Sequence, residues 1–455
     1  MPNFTLERTR RLAGRIGDQD YRAFLRADAE ARIFLRWHLR RLGDFHSGRN
    51  IDFTKSRDRY LSRIVRHARD RSVGYSERLQ HLPVGDVSSL STEWKNTPLL
   101  TKDQIRAGHA ELETMPADSA WVGRLTTGGS TGQPLAFSYL GGHDGEHQEF
   151  FWNMLGYCPG DRILAMDGTV VPAAELEAGH FWTRKGSSSL PYGEVALSAH
   201  YWSERTRDDY LEFLLEYKPA FIRGYPSFVS DVAAHLEAKG LHIGCKAVQL
   251  TSESHTISQT QLIERTMGPV RDQYGHAEAS VFGYSLRAEG PIYCSPFYGL
   301  VEVLGDEGLP VAEGELGEVV VTGFHNFALP FIRYQTGDLA VFGGDKDGIV
   351  RLSQVQGRTQ DFVISKDGTR HLITALVFGQ HFRAFEAIRR WQIVQEVRGK
   401  LTIRVIPDAT FSSVHEREVA AAFKRIADID VEFIRVKDIP RTARGKSPLV
   451  IQTAS

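Results

Sequence analysis

The sequence predicts an α/β protein: a large N-terminal domain of mostly parallel sheets covered by helices, joined by a strand-rich subdomain, and a small α+β C-terminal domain. Three observations carry this prediction. From about residue 120, short apolar runs alternate with helical patterns, the order that gives parallel strands covered on both faces. Residues 299–356 then crowd strands together as LVEVLG, GEVVVTG and LAVFGGDKDGIVRL, with Asp347-Gly348 marking a hairpin turn. After Gly357 the composition shifts to a hairpin, a helix and a strand, long enough for a unit of its own.

Taken in order, residues 1–110 form a helical lead-in, in which Tyr60, Leu61, Ile64, Val65 and Ala68 recur on one face. RILAM (162–166), AFIRGY (220–225) and AVQLTS (247–252) read as buried strands. One helix runs through Tyr210, Phe213, Leu214 and Tyr217 and stops before Pro219. Another starts at Pro226, a favourable first position, and ends at Gly240. In the last domain RRWQIVQEV and LTIRVIP pair about RGK, followed by a helix over 414–426 and a strand over 431–436. The weakest boundary is Gly357–Asp361, which divides the chain into 1–356 and 357–455.

Composition narrows the function classes. With 55 Lys+Arg against 56 Asp+Glu, the formal net charge of −1 leaves no long-range field to attract nucleic acid or an anionic membrane. The arginines of Arg8–Arg49 are interleaved with acidic residues, as on a solvated helical face. Cys158, Cys245 and Cys294 are too few and too scattered for a disulfide framework. No stretch has the apolar run of a signal peptide or a membrane span. The expected location is the cytoplasm.

Five stretches carry chemistry. Thr126-Thr127-Gly128-Gly129-Ser130-Thr131-Gly132-Gln133-Pro134 interleaves glycines with hydroxyls, so that backbone and side chains offer donors to a polyanion. No lysine follows its last glycine, and Pro440 spoils the other place to look, Gly445-Lys446-Ser447, which excludes a Walker P-loop. Tyr274-Gly275-His276-Ala277-Glu278 offers an aromatic face to a base and a carboxylate suited to Mg²⁺. His276 and Glu278 lack zinc-helix spacing, and a structural role for His276 stands beside a catalytic one. In Arg333-Tyr334-Gln335-Thr336-Gly337-Asp338, an aspartate at a strand end suits a ribose diol. Gly357-Arg358-Thr359-Gln360-Asp361 sits at the domain boundary, and Pro440-Arg441-Thr442-Ala443-Arg444-Gly445-Lys446 is a flexible cationic segment near the C-terminus. Each alone also reads as an ordinary turn, linker or tail.

Their order and spacing resemble the adenylate-forming superfamily over roughly residues 55–450. Lys218-Pro219-Ala220-Phe221-Ile222-Arg223-Gly224-Tyr225-Pro226-Ser227, Pro98-Leu99-Leu100-Thr101-Lys102 and the hairpin Phe362–Arg370 look like the phenylacetate–CoA ligase family, in its capsular-polysaccharide-biosynthesis-like branch. The resemblance implies an acid–thiol ligase that converts a carboxylic acid to acyl-AMP with release of pyrophosphate, then transfers the acyl group to coenzyme A. The alternatives are transfer to an amine, such as an amino sugar, or to a carrier-protein thiol, and an inactive nucleotide-binding relative. ATP, Mg²⁺ and coenzyme A are the implied cofactors; a homodimer is compatible with the reading.

By the same resemblance Thr127, Gly128, Gly129, Ser130, Thr131 and Gly132 cradle the pyrophosphate end. Tyr274 with Gly275 takes the adenine, Glu278 binds Mg²⁺, Asp338 holds the ribose and Arg358 approaches from the hinge. Lys446 is the principal catalytic candidate and His276 the second. The C-terminal domain is expected to rotate about the hinge between half-reactions. Gln133, Gln335 and Gln360 depart from the pattern, each removing a charge that many members carry. The acid pocket is expected between strand 220–225, segment 250–256 and Tyr274, with Tyr225, Phe228 and Phe282 as aromatic candidates.

Overall fold

The structure, a computed structural model, describes residues 19–115, 122–127, 135–140, 144–185, 191–358, 362–373, 387–408, 410–442 and 445–454. The lead-in is helical, with α1 over Gln19–His46 and α2 over Thr54–Arg71. The stripe read from the sequence is the buried one: Leu61, Ile64, Val65 and Ala68 of α2 face the core. A hairpin follows, β1 (Gly123–Thr126) with β2 (Ala136–Tyr139), and then α3 (Asp144–Met154).

Strands and helices now alternate. β3 (Ile163–Asp167), β4 (Trp182–Arg184) and β5 (Val195–Ser198) precede α4 (Arg207–Tyr217), β6 (Phe221–Gly224), α5 (Pro226–Ala238), β7 (Ala247–Thr251), α6 (Ile257–Thr266) and β8 (Val270–Tyr274). α4 ends where the sequence says it must: Lys218 turns left-handed ahead of Pro219, which cannot continue a helix. Proline at the first position of α5 gives up no hydrogen bond.

The antiparallel part comprises β9 (Gly283–Tyr284), β10 (Ile292–Cys294), β11 (Gly299–Leu304), β12 (Leu316–Gly323), β13 (Tyr334–Lys346) and β14 (Ile349–Arg358). All belong to one twelve-stranded sheet, ordered β4-β5-β3-β6-β7-β8-β9-β10-β14-β13-β12-β11. Parallel pairing is confined to β5-β3-β6-β7-β8. The strand-rich stretch therefore extends the parallel sheet, because β8 pairs antiparallel with β9 at Tyr274 and Gly283.

Alternation assigns the two faces of the parallel strands. Leu164, Ile222, Val248 and Val270 pack beneath α4, α5 and α6. Ile163, Phe221 and Ala247 pack on the other side against Trp152 of α3. Phe228 and Phe282 are buried inside hydrophobic clusters, so they fill core and do not line an acid pocket.

The C-terminal domain has β15 (Phe362–Ile364) and β16 (Arg370–Leu372) as a hairpin, then β17 (Ile388–Val397), β18 (Lys400–Pro407), α7 (Ser413–Ala427), β19 (Asp430–Arg435) and β20 (Val450–Gln452). Its sheet runs β19-β18-β17-β20 and buries Val419 and Phe423 of α7. β19 pairs with β18 and β20 with β17, so the chain is held in the sheet both before and after residues 440–446. The three cysteines are unpaired thiols, and no helix among the described residues is long and apolar enough to cross a membrane.

Candidate active site

Adjacent parallel strands β3, β6, β7 and β8 finish on one edge of the sheet, with Asp167, Gly224, Thr251 and Tyr274 as their last residues. In open α/β sheets ligands lie in the crevice outside such carboxyl ends. Two clusters of candidate residues gather there, one beside β8 and one over β3, β6 and β7.

Beside β8, the Tyr274 hydroxyl donates to Asp338 Oδ2 at 2.8 Å, joining the second and third motifs directly. Asp338 lies inside β13 and not at its end, a correction to the sequence reading. Gly337, with φ of 75°, forms a bulge that a Cβ would strain. The bulge is braced by Glu318, which accepts from the backbone N–H of Gly337 and, at 2.8 Å, from Gln335 Nε2. Gln335 is thus spent on β12. Burial, followed by the neighbouring Asp338 carboxylate, pushes the Tyr274 phenol well above its ordinary range.

Glu278 is buried under Tyr334, whose hydroxyl donates to Oε1 at 3.1 Å. Its Oε2 lies 3.3 Å from His276 Nδ1, close enough for charge attraction but without hydrogen-bond geometry. His276 Nε2 is buried with no partner among the described residues. Burial opposes ionisation of Glu278, yet the adjacent His276 ring, with help from the Tyr334 hydroxyl, outweighs it and holds the carboxyl at about 2. Because the folded value is depressed from 4.5 to about 2, the stabilisation is complete above pH 4.5 and is lost as pH falls towards 2. Its size is roughly 3 kcal/mol. Glu278→Gln should therefore lower the urea midpoint at pH 6, with the deficit shrinking between pH 4.5 and 2. A deficit that stays constant on acidification would contradict this.

The first motif is described at its neck. Thr127 N donates to the Leu135 carbonyl and the Thr127 hydroxyl accepts from Leu135 N, each at 2.9 Å, which closes the hairpin. Gly128, Gly129, Ser130, Thr131, Gly132 and Gln133 lie outside the described residues, as does Gln360. The hairpin stands on the Glu278 side: Phe137 packs edge-on to Phe331, which meets Tyr334 at 5.0 Å. Arg358 pairs across the ladder with Asp338, so the end of the large domain emerges opposite the ribose candidate; the Arg358 side chain is outside the described residues. Gly275 leads directly from Tyr274 into this cluster.

Over β3, β6 and β7 sits the C-terminal segment. Gly445, with φ of 75°, lies so close to Gly168 that a Cβ would come within 2.7 Å of its Cα. Lys446 Nζ lies 5.6 Å from the Tyr225 ring centroid, beyond the end of β6. Three residues that sequence reasoning missed hold this arrangement. Glu253 follows Ser252, a non-glycine residue at φ 75°. It accepts from Ser227 N at the start of α5 at 3.0 Å and from Ser447 N at 2.6 Å. Asp231 of α5 receives Arg441 at 2.6 Å and Arg390 at 2.9 Å, both from the C-terminal domain. Arg390 also donates to Ser447 Oγ at 3.1 Å. Only tertiary structure brings these together.

Asp231→Ala would leave Arg441 facing Arg390 without their shared anion, with only Asp438, 3.3 Å from Arg390, still close by. Breaking such a half-buried network costs about 3–5 kcal/mol when one partner is removed, here charged against domain docking. We expect acid-dependent turnover to fall by about tenfold or more, with faster proteolysis at 440–446. Unchanged turnover and cleavage would remove Asp231 from this role.

Residues 363–453 match a family model, the CapK C-terminal domain. Protein CapK of Staphylococcus aureus is 21% identical over 418 residues, covering 88% of this chain and 89% of CapK. Phenylacetate-coenzyme A ligase of Escherichia coli (strain K12) is 25% identical over 321 residues, covering 67% of this chain and 70% of that enzyme. A crystal structure of 2-hydroxyisobutyryl-CoA ligase in the postadenylation state, in complex with R3-HIB-AMP, superposes with a TM-score of 0.65 at 18% identity, covering 88% of this chain and 89% of the ligase, and so shares its fold.

Proposed function

We propose that this chain, which belongs to the adenylate-forming superfamily in its phenylacetate–CoA ligase-like, CapK-related branch and is an AMP-forming ligase, activates a carboxylic acid as acyl-AMP and passes the acyl group to coenzyme A. The observation that carries the reading is the Tyr274–Asp338 hydrogen bond beside Glu278 at the end of β8, with Lys446 against Tyr225 beyond the end of β6, a strand of the same sheet.

A carboxylate is a poor nucleophile towards the α-phosphate because both are anionic. The protein must hold the two in line and offset charge. Asp338, fixed by the Tyr274 hydroxyl, accepts from the ribose diol and sets the nucleotide's register. Tyr274 packs its ring on the base. Lys446 sits between carboxylate and α-phosphate, and its single charge on a long stem suits a group that arrives and leaves with its domain. Arg358 reaches the nucleotide from the hinge.

A divalent cation fits the chemistry of Glu278: the carboxyl is ionised at neutral pH, and phosphates would complete the oxygen shell, as no cluster among the described residues forms a cage by itself. When bound, Mg²⁺ would neutralise phosphate charge. His276, with Nε2 buried and unpaired, is placed to donate to an anionic oxygen beside Glu278.

The test is an acid-dependent pyrophosphate-release screen, run with and without coenzyme A and with amine acceptors, with products identified by mass spectrometry. Acyl-CoA formed at the expense of acyl-AMP supports the whole reading. An acyl-amide overturns the acceptor while retaining the first step, and ADP in place of AMP overturns the chemistry.

A further inference from the structure

The α3-facing side of the parallel strands is polar where it should be apolar. Ladder register sets Arg223, Gln249 and Arg271 in one row across β6, β7 and β8, and alternation puts all three, with Gln273, on the face opposite Ile222, Val248 and Val270. Gln249 is fully buried and exchanges hydrogen bonds of 2.9 and 3.3 Å with Gln148 of α3, which confirms the face. Among the described residues, Arg223 Nε, Arg271 Nε, Gln273 Oε1 and the Tyr192 hydroxyl are buried without a hydrogen-bond partner. Arg223 is the sharpest case, because its guanidinium carbon faces the Tyr192 ring, 5.6 Å from the centroid.

No α3 carboxylate forms an ion pair with it: Glu146 Oε1 is taken by Arg32 at 2.6 Å while its Oε2 is buried without a partner among the described residues, and Asp144 is held by the hydroxyls of Tyr139 and Tyr298. Glu149, the third carboxylate of α3, shares with them only a longer-range influence on Tyr192. Folded proteins leave few buried polar atoms unpaired. Several on one patch, beside a guanidinium that makes no ion pair among the described residues, mark the outline of a ligand.

Resting on the adenylation reading above, we infer that the acid is dianionic. Its reacting carboxylate lies at Lys446, and a second carboxylate meets Arg223 and the Gln148–Gln249 amides on the α3 side of the sheet. Arg223 lies two residues before Tyr225, whose ring faces Lys446, so one short molecule can reach both. An alkyl or aryl tail in this place would leave the guanidinium desolvated and unpaired, the situation in which polar sites reject analogues most strongly.

The experiment compares succinate with butyrate, glutarate with valerate and adipate with hexanoate, reading acid-dependent pyrophosphate release by wild type, Arg223→Leu and Arg223→Lys. We expect one diacid to exceed its matched monoacid in kcat/KM by about a hundredfold or more. Arg223→Leu should bring that ratio below about ten, and Arg223→Lys, which keeps the charge but loses the fork, should fall between. An ATP-induced rise in melting temperature checks that each variant is folded. Monoacids turned over as well as diacids by wild type would overturn the dianionic class while leaving adenylation intact; so would an unchanged ratio in Arg223→Leu. Silence with every acid would overturn the adenylation reading itself.

Discussion

Lys446→Ala is expected to cut acid-dependent pyrophosphate release by about a hundred- to ten-thousand-fold, the range over which removal of a charge-stabilising donor acts on a transition state. Thiol transfer from acyl-AMP supplied ready-made should fall by less than about tenfold, since that step no longer has a pentacovalent phosphorus to stabilise. The difference follows from placement. Gly445 fits against Gly168 with no room for a side chain, and Glu253 and Arg390 fix Ser447 on the other side, so Lys446 is delivered to the strand ends by a rigid bracket. Equal loss of both half-reactions would mean that the residue holds the domain together and does not act on the phosphate.

Asp338→Ala is expected to weaken ATP binding by about a hundredfold, because hydrogen bonds to an ionised carboxylate are worth roughly 1.5–3 kcal/mol each. It should do so without unfolding the chain, since Gly337 and Gln335 are secured separately by Glu318. Tyr274→Phe removes the hydroxyl that orients Asp338 but keeps the ring, and should cost less than tenfold. Calorimetric titration with a non-hydrolysable ATP analogue distinguishes them. A larger loss in Tyr274→Phe than in Asp338→Ala would reverse the assigned roles.

Much of this was legible in the chain. The α2 stripe, the stop of α4 before Pro219, the start of α5 at Pro226 and the Asp347-Gly348 turn were local decisions made by local residues, and the structure follows them. Tyr274, the last residue of β8, and Lys446, in the segment before β20, could be singled out because each sits in a recognisable phrase. What escaped the sequence depends on pairing across distance. Asp338 looked like a turn residue because Thr-Gly-Asp suits a turn, whereas the β12 ladder draws it into a bulged strand. Asp231 and Glu253 have no distinctive neighbours, and their meaning appears only when the C-terminal domain brings Arg390, Arg441 and Ser447 to them. Phe228 and Phe282 failed as pocket residues for the opposite reason: their faces were already committed to core. The polar row on β6–β8 was hidden because no periodicity in short strands says which face meets a ligand.

The central claim is that ordered strand ends and a terminal lysine form one adenylating centre. Its most direct test is mass spectrometry of the enzyme with ATP, Mg²⁺ and a diacid, without any acceptor. The account predicts an acyl-AMP of the expected mass, equimolar with pyrophosphate, in wild type and none in Lys446→Ala. Wild-type ATP turned over without acid, or an acyl phosphate formed together with ADP, would contradict it.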